Sequence, residues 1–238
     1  MELTILADVD GLAKTAADLF RDRLRATPAL AMAVPAGRTP RRMYAHMQAL
    51  QAREPVDFSA MRVFSVDELG PPAPADGYFW RQVRQEFLAW AAVSPARCHP
   101  FRVDVEALEL MCDDYERSIG DAGGLDLIML GLGPNGHLAS NEPGTPFSTR
   151  TRPVRLLAST VDYILTDEVL QGQVSDRAVT LGLATILEAR EVVLLVSGAL
   201  KREPLRQALA GPVTPELPAS ILQRHPRCTI LADRAAAP

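Results

Sequence analysis

Apolar positions along this chain follow two rhythms. Short runs dominated by apolar residues occur at 3–6, 29–34, 62–66, 125–132, 178–181, 192–196 and 228–232. Runs of this length suit strands covered on both faces, where neither side needs to be polar. Between them apolar residues recur at helical spacing, as in Leu12, Ala16, Leu19, Phe20 and Leu24, the signature of an amphipathic helix. That first helix is expected to take Asp10 as its N-cap and to end near Thr27 and Pro28. Further helices are expected over residues 39–53, 78–92 and 105–119, and after each of the strands at 178–181 and 192–196. Strand–helix alternation of this kind predicts an α/β fold, a doubly wound and mostly parallel sheet with helices on both faces. A single domain spanning residues 1–238 accommodates every element. Residues 71–77, PPAPADG, are the most linker-like stretch. They are too few to separate domains, so they read as a loop beside a site.

Composition narrows the function classes. Of 238 residues 47% are apolar and 23% charged, with a formal net charge of −4, and no polybasic run marks a nucleic-acid or anionic-membrane surface. Asp8, Asp10 and Lys14 interrupt the first apolar stretch too early for a signal peptide, and no stretch approaches the roughly 18 apolar residues of a membrane span. Three scattered cysteines, Cys98, Cys112 and Cys228, read as reduced thiols in the cytoplasm. The four histidines pair with no cysteine or carboxylate at metal-ligand spacing, so no metal site is expected.

The chemistry concentrates at strand ends, where ligands bind in parallel α/β sheets. The run ending at Leu132 empties into GLGPNGHLASNEP, which carries Asn135, His137, Asn141 and Glu142. Gly131, Gly133 and Gly136 spell the dinucleotide-binding pattern, but Asn141-Glu142-Pro143-Gly144 would break the long helix that such a site requires. The glycines, Gly136 among them, read better as a tight turn admitting a ligand, with His137 pointing into a cavity and oriented by Glu142. A carboxylate beside an imidazole fixes its tautomer, as acid–base work needs; a buried structural histidine is the bland alternative. A second cluster is VPAGRTP at 34–40. Thr39 is expected to cap a helix whose first position is Pro40, and Gly37 and Arg38 add what a phosphate site at a helix start would use. Asp67 and Glu68 close the strand at 62–66 and are either a solvated strand exit or, with Asp67 as a proton-transferring base, part of the same crevice. Lys201 follows SGAL and is equally a solvated helix-start charge or a second phosphate contact.

These four segments, in this order, resemble the glucosamine-6-phosphate deaminase (isomerase) family, which is related to the 6-phosphogluconolactonases. GLGPNGHLASNEPGTPF is similar to the deaminase active-site loop, VPAGRTP to its phosphate loop, VDEL to the strand end bearing its catalytic Asp, and SGALK to its glycine–lysine segment. The resemblance implies that an amino-sugar 6-phosphate (glucosamine or galactosamine) and water give a ketose 6-phosphate and ammonia, with no redox cofactor. His137 would open the sugar ring, Glu142 and Asn135 would orient and tune it, and Asp67 would shuttle a proton between C2 and C1. Gly37, Arg38, Thr39, Gly136 and Lys201 would hold the sugar phosphate.

The chain departs from the family pattern at several positions. Asn135 stands where many members have Asp, Ser140 where Phe is usual, and Ala36 and Arg38 replace Thr and Gly of the phosphate loop. Val154 occupies a position that is Lys in allosteric members, which predicts no hexamer-type amino-sugar allostery and a monomer or small homo-oligomer. The place of a further phosphate-contacting Arg falls near Thr166, and Arg38 is read as compensating for it. The rival reading is a 6-phosphogluconolactonase, favoured by His137-Leu138-Ala139-Ser140 and opposed by Asn141-Glu142-Pro143. A catalytically inactive sugar-phosphate sensor is a third; the net negative charge and the start of the chain at its first strand weigh against a DNA-binding regulator.

Overall fold

The computed structural model describes residues 1–74, 76–167 and 174–238. In chain order the elements are β1 (Glu2–Leu6), α1 (Val9–Ala26), β2 (Ala31–Val34), α2 (Arg38–Gln51), β3 (Arg62–Ser65), β4 (Asp67–Leu69), α3 (Phe79–Val83), a π turn (Arg84–Leu88), α4 (Ala89–Ala91) and β5 (Cys98–His99). There follow α5 (Leu108–Asp121), β6 (Leu127–Gly131), β7 (Arg152–Arg155), α6 (Ala158–Leu165), β8 (Arg177–Thr180), α7 (Leu183–Leu187), β9 (Val192–Val196), α8 (Arg202–Ala210), a 3₁₀ segment (Pro218–Arg224) and β10 (Cys228–Asp233).

Seven strands form one sheet in the order β1-β10-β9-β6-β2-β3-β5, with every neighbouring pair parallel. The apolar runs divide their side chains between the two faces, as the pleat demands. Leu127 and Met129 of β6 join Met32, Val34, Val193 and Leu195 in a core built with α1, α2 and α3. Ile128 and Leu130 join Ala31, Ala33, Val192 and Leu194 in a second core under α5, α7 and α8. The doubly wound reading therefore holds, and it locates the switch point. The chain builds outward from β2 through β3 to β5, then returns to lay β6 on the other side of β2. Loops leaving β2 and β6 diverge there and open a crevice at their carboxyl ends.

Several local expectations are corrected. Asp8, not Asp10, caps α1, its carboxylate accepting the Gly11 N–H at 2.8 Å, because the chain turns into the helix directly after β1. Thr39 does not cap α2; the helix starts at Arg38 with Gly37 in the cap position at φ +119°, and the Thr39 hydroxyl bonds the Ser197 hydroxyl at 2.8 Å instead. The helix expected over 78–92 is broken by the π turn and stopped by Ala92 in the left-handed conformation, φ 54°. The strand at 178–181 is not in the parallel sheet: β8 sits between β4 and β7 in a separate three-stranded antiparallel sheet. Neither β4, β5 nor β7 was foreseen. Residues this short, carrying charge or proline, show no apolar run to read.

Candidate active site

The loop after β6 is built around Leu138, which is fully buried and bridges to both Leu132 and Asn141. Asn141, also fully buried, donates its amide to the Leu138 and Leu181 carbonyls at 3.0 and 2.8 Å, tying the loop to β8. Its role is structural. The loop turns sharply at Gly136, φ +84°, where a Cβ would lie 2.2 Å from Leu217. Gly136, expected to touch substrate, packs against Leu217 and is absent from the crevice lining. Gly133 matters in a way the motif did not reveal: a Cβ there would lie 2.3 Å from His137 Nδ1, so only glycine leaves room for the ring.

His137 is reached through a relay. Asn135 donates from Nδ2 to Glu142 Oε2 at 2.8 Å, while its Oδ1 accepts the His137 backbone N–H at 3.2 Å and contacts His137 Nδ1 at 2.8 Å. A carboxylate can only accept, so Glu142 fixes which end of the Asn135 amide faces the ring. The exposed amide oxygen then requires the proton on Nδ1, leaving the Nε2 lone pair free as a base. Glu142 Oε2 is itself 3.8 Å from Nδ1. The expected direct orientation by Glu142 is thus replaced by one transmitted through Asn135. Burial pushes the His137 imidazole down to about 4, with Glu142 opposing and Lys201 assisting, so the ring is neutral at physiological pH.

Asp67 and Glu68 separate into different roles. As adjacent residues of β4 they face opposite ways. Glu68 is fully buried and accepts four backbone N–H groups, from Leu69, Tyr78, Phe79 and Trp80, at 2.8–3.0 Å; it satisfies the open N-terminus of α3. Asp67 lines the crevice and accepts the Ser140 hydroxyl at 2.8 Å. Burial pushes its carboxyl up to about 7, against the lowering by Ser140, with Glu68 adding to the rise. A carboxylate poised near neutrality and facing a cavity suits proton transfer. None of the described residues of the loop at 71–77 lines the crevice; the loop leads into α3, whose Phe79 and Gln82 do, and Asp76 pairs with Arg81 and Arg84. Ala75 lies outside the described residues.

The far end of the crevice holds two basic side chains, Lys201 and Arg38, with the Asp167 carboxylate 3.9 Å from Arg38 Nε. Lys201, only 6% exposed, places Nζ 4.2 Å from the Tyr163 ring centroid, and Arg38 approaches the same ring at 5.9 Å. Burial first and then Arg38 push the Lys201 amine down to about 7. Among the described residues no carboxylate pairs with Lys201, which leaves a buried cation facing a cavity. Arg38 donates to Thr166 Oγ1 at 2.5 Å, so its guanidinium reaches the position at which the resemblance places a further arginine. Gly37 is held by Gln82, its N–H donating to Oε1 at 3.2 Å and its carbonyl accepting from Nε2 at 3.4 Å. Tyr163 and Gln82 were not anticipated from sequence, since they belong to elements remote from any recognisable motif; Ser197 lies within SGALK, but nothing local marks it as the partner of Thr39.

Asp67, His137, Gly37, Arg38, Thr39 and Lys201 line one crevice of about 420 Å³, a volume suited to a small polar metabolite. Asn135 and Glu142 stand behind His137. Among the described residues no group of His, Cys, Asp and Glu is arranged to hold a metal ion, and no helix is long and apolar enough to cross a membrane.

A doubly wound α/β protein with a buried aspartate, a neutral histidine and a lysine that no carboxylate among the described residues pairs with, all lining one crevice at the strand ends, is thereby defined. The chain belongs to the family described as glucosamine-6-phosphate isomerases/6-phosphogluconolactonase, whose model matches residues 7–231. It is 34% identical to a glucosamine-6-phosphate deaminase of Shouchella clausii, over 100% of this chain and 96% of the relative. It is 37% identical to one of Cutibacterium acnes, over 100% of this chain and 91% of the relative. Among solved structures, a monomeric glucosamine-6-phosphate deaminase superposes with TM-score 0.92 at 29% identity, covering 99% of this chain and 98% of that one. A 6-phosphogluconolactonase of Trypanosoma brucei shares the fold, with TM-score 0.78 at 21% identity over 99% of this chain and 97% of that one.

Proposed function

We propose that this chain is a glucosamine-6-phosphate deaminase, converting an amino-sugar 6-phosphate and water to a ketose 6-phosphate and ammonia. Full-length similarity to enzymes of that name supports the activity. The observation that carries the chemistry is the Glu142–Asn135–His137 relay beside Asp67 in one crevice.

In this reading His137 Nε2 takes the proton of the anomeric hydroxyl and returns one to the ring oxygen, opening the pyranose. Asp67 removes the C2 proton while O1 takes up the proton that the C2 ammonium gives up, forming an enolamine; Asp67 then delivers its proton to C1, leaving an iminium at C2. Water adds to that carbon and ammonia departs, so atoms balance and no net oxidation occurs. Lys201, Arg38, Thr39 and the N–H groups at the start of α2 hold the 6-phosphate, whose binding energy fixes the register of C1 and C2 against Asp67. Arg38 stands in for the arginine absent at Thr166. We place the enzyme in the cytoplasm as a single-domain monomer; a mass near 25.9 kDa by light scattering tests the latter.

The loop segment His137-Leu138-Ala139-Ser140, similar to that of the lactonases, is the feature that favours lactone hydrolysis as the second reading. Ammonia release from glucosamine 6-phosphate and galactosamine 6-phosphate, measured beside an Asp67→Asn control, separates the two. Release that disappears in the control supports the deaminase. Absence of release with rapid hydrolysis of 6-phosphogluconolactone would move the chain to the lactonase branch.

A further inference from the structure

We propose that Ser140 and Thr180 form a positioning pair that sets the proton affinity and orientation of Asp67, an inference that rests on the assignment of Asp67 as the proton-transferring base. Asp67 and Thr180 are directly opposed in the antiparallel pairing of β4 and β8. The fully buried Thr180 accepts the Ser140 backbone N–H at 3.1 Å and donates its own hydroxyl to the Leu181 carbonyl at 3.1 Å. Its hydroxyl proton is committed to that carbonyl, so its lone pair is what receives Ser140. Ser140 in turn is 4% exposed, and its hydroxyl donates to Asp67 Oδ2 at 2.8 Å. Among the described residues this is the single hydrogen bond that the Asp67 side chain makes. One oxygen is therefore occupied and the other is left to face the cavity. The preceding Ala139 is held at φ 52°, a conformation that a non-glycine residue adopts at a cost, and the turn it makes delivers Ser140 to Asp67.

The charged and titratable neighbours do not provide an alternative anchor. Glu68, on the same strand, turns its carboxylate to the start of α3. His137 and Lys201 line the crevice, the first bonded to Asn135 and the second facing Tyr163. Arg152, opposite Thr180 on β7, donates to Asn141. Arg177 lies at the far end of β8 beside Gly70, and Arg81 of α3 is paired with Asp76. Tyr115, from α5, bonds the Ser65 backbone.

A hydroxyl that donates to a carboxylate favours its ionised form. Removing it in Ser140→Ala is expected to raise the Asp67 titration midpoint by about one pH unit, the effect of one hydrogen bond to a charged group. The midpoint is read by ¹³C NMR of the aspartate carboxyl carbons, with the Asp67 signal assigned through Asp67→Asn. Thr180→Val, which removes the acceptor of the Ser140 N–H while keeping the Ser140 hydroxyl and the Asp67 carboxylate, is expected to move it the same way by less, and Ser140→Thr to restore it. In the pH profile of ammonia release the acid limb should move with the NMR midpoint. An unchanged midpoint in a folded Ser140→Ala protein overturns the proposal. The titration needs no turnover, so failure of the parent enzyme to release ammonia would overturn the deaminase assignment alone.

Discussion

At the scale of single residues, the relay makes the order of mutational damage predictable. His137→Ala removes the proposed ring-opening base outright and is expected to lower kcat by roughly 10²–10⁴-fold. Glu142→Gln leaves the ring in place but supplies an amide that can both donate and accept, so Asn135 is no longer held in one orientation. The correct tautomer is then only partly populated. A loss of kcat with little change in KM is the expected outcome, checked by steady-state ammonia release; an unchanged kcat would reduce Glu142 to a structural contact. Asp67 carries a cost as well as a function. Its carboxyl rises from the ordinary 3.8 to about 7 in the fold, so between those values the folded state holds a proton that the unfolded chain releases. The stability contributed by this group is complete below pH 4 and is lost as pH rises through 7. Asp67→Asn should therefore raise Tm by a few degrees at pH 8 while abolishing activity, and the gain should vanish near pH 4.

At the scale of elements, α3 is only five residues long and starts inside the protein, so its open N–H groups depend on Glu68. In Glu68→Gln the amide nitrogen, even placed where the oxygen accepting only Trp80 now lies, would face a backbone donor and leave that buried N–H unpaired. The expected cost is about 2 kcal/mol, or a Tm lower by roughly 5 °C, readable by thermal unfolding. Because Phe79 and Gln82 of α3 line the crevice, KM should rise in the same variant. Elements also mark where the sequence was readable. β2, β6 and β9 stood out because each is buried on both faces and must be apolar throughout. β4 and β7 did not: β4 is DEL and β7 is RPVR, and β4 meets β8 only on folding, through pairs such as Asp67 and Thr180 that lie over 100 positions apart in the chain. Asp67 was legible as a strand-end acid, whereas Glu68 beside it gave no sign of being the cap of a helix ten residues on.

At the scale of the whole molecule, the two ends of the crevice respond to pH in opposite senses. The proposed reaction needs Asp67 ionised, a condition met increasingly as pH rises through about 7. The proposed phosphate contact needs Lys201 protonated, a condition lost as pH rises through about 7 in the free enzyme. The profile of kcat/KM should accordingly be a narrow bell near neutrality. Bound phosphate holds the proton on Lys201, so the profile of kcat should lose its alkaline limb. Lys201→Met should flatten that limb in kcat/KM and raise KM; a wild-type profile with no alkaline limb would contradict the role of Lys201. Arg38→Ala tests the compensation for Thr166 in the same assay, with an increase in KM expected and an unchanged KM contrary to it.

The sequence by itself determined the layers and the location of the chemistry. Apolar runs that must be covered on both faces dictate a parallel sheet between helices, and polar residues concentrated where those runs end mark its carboxyl edge. Local pattern also singled out His137, Asp67, Arg38 and Lys201. What only the tertiary structure decided was how these groups act on one another. Which end of the Asn135 amide faces the imidazole, which of two adjacent acids faces the cavity, and which hydroxyl holds the base all depend on contacts between distant segments. Hydrogen bonds and burial act over a few ångströms in space, and the chain brings those partners together only after the sheets have formed.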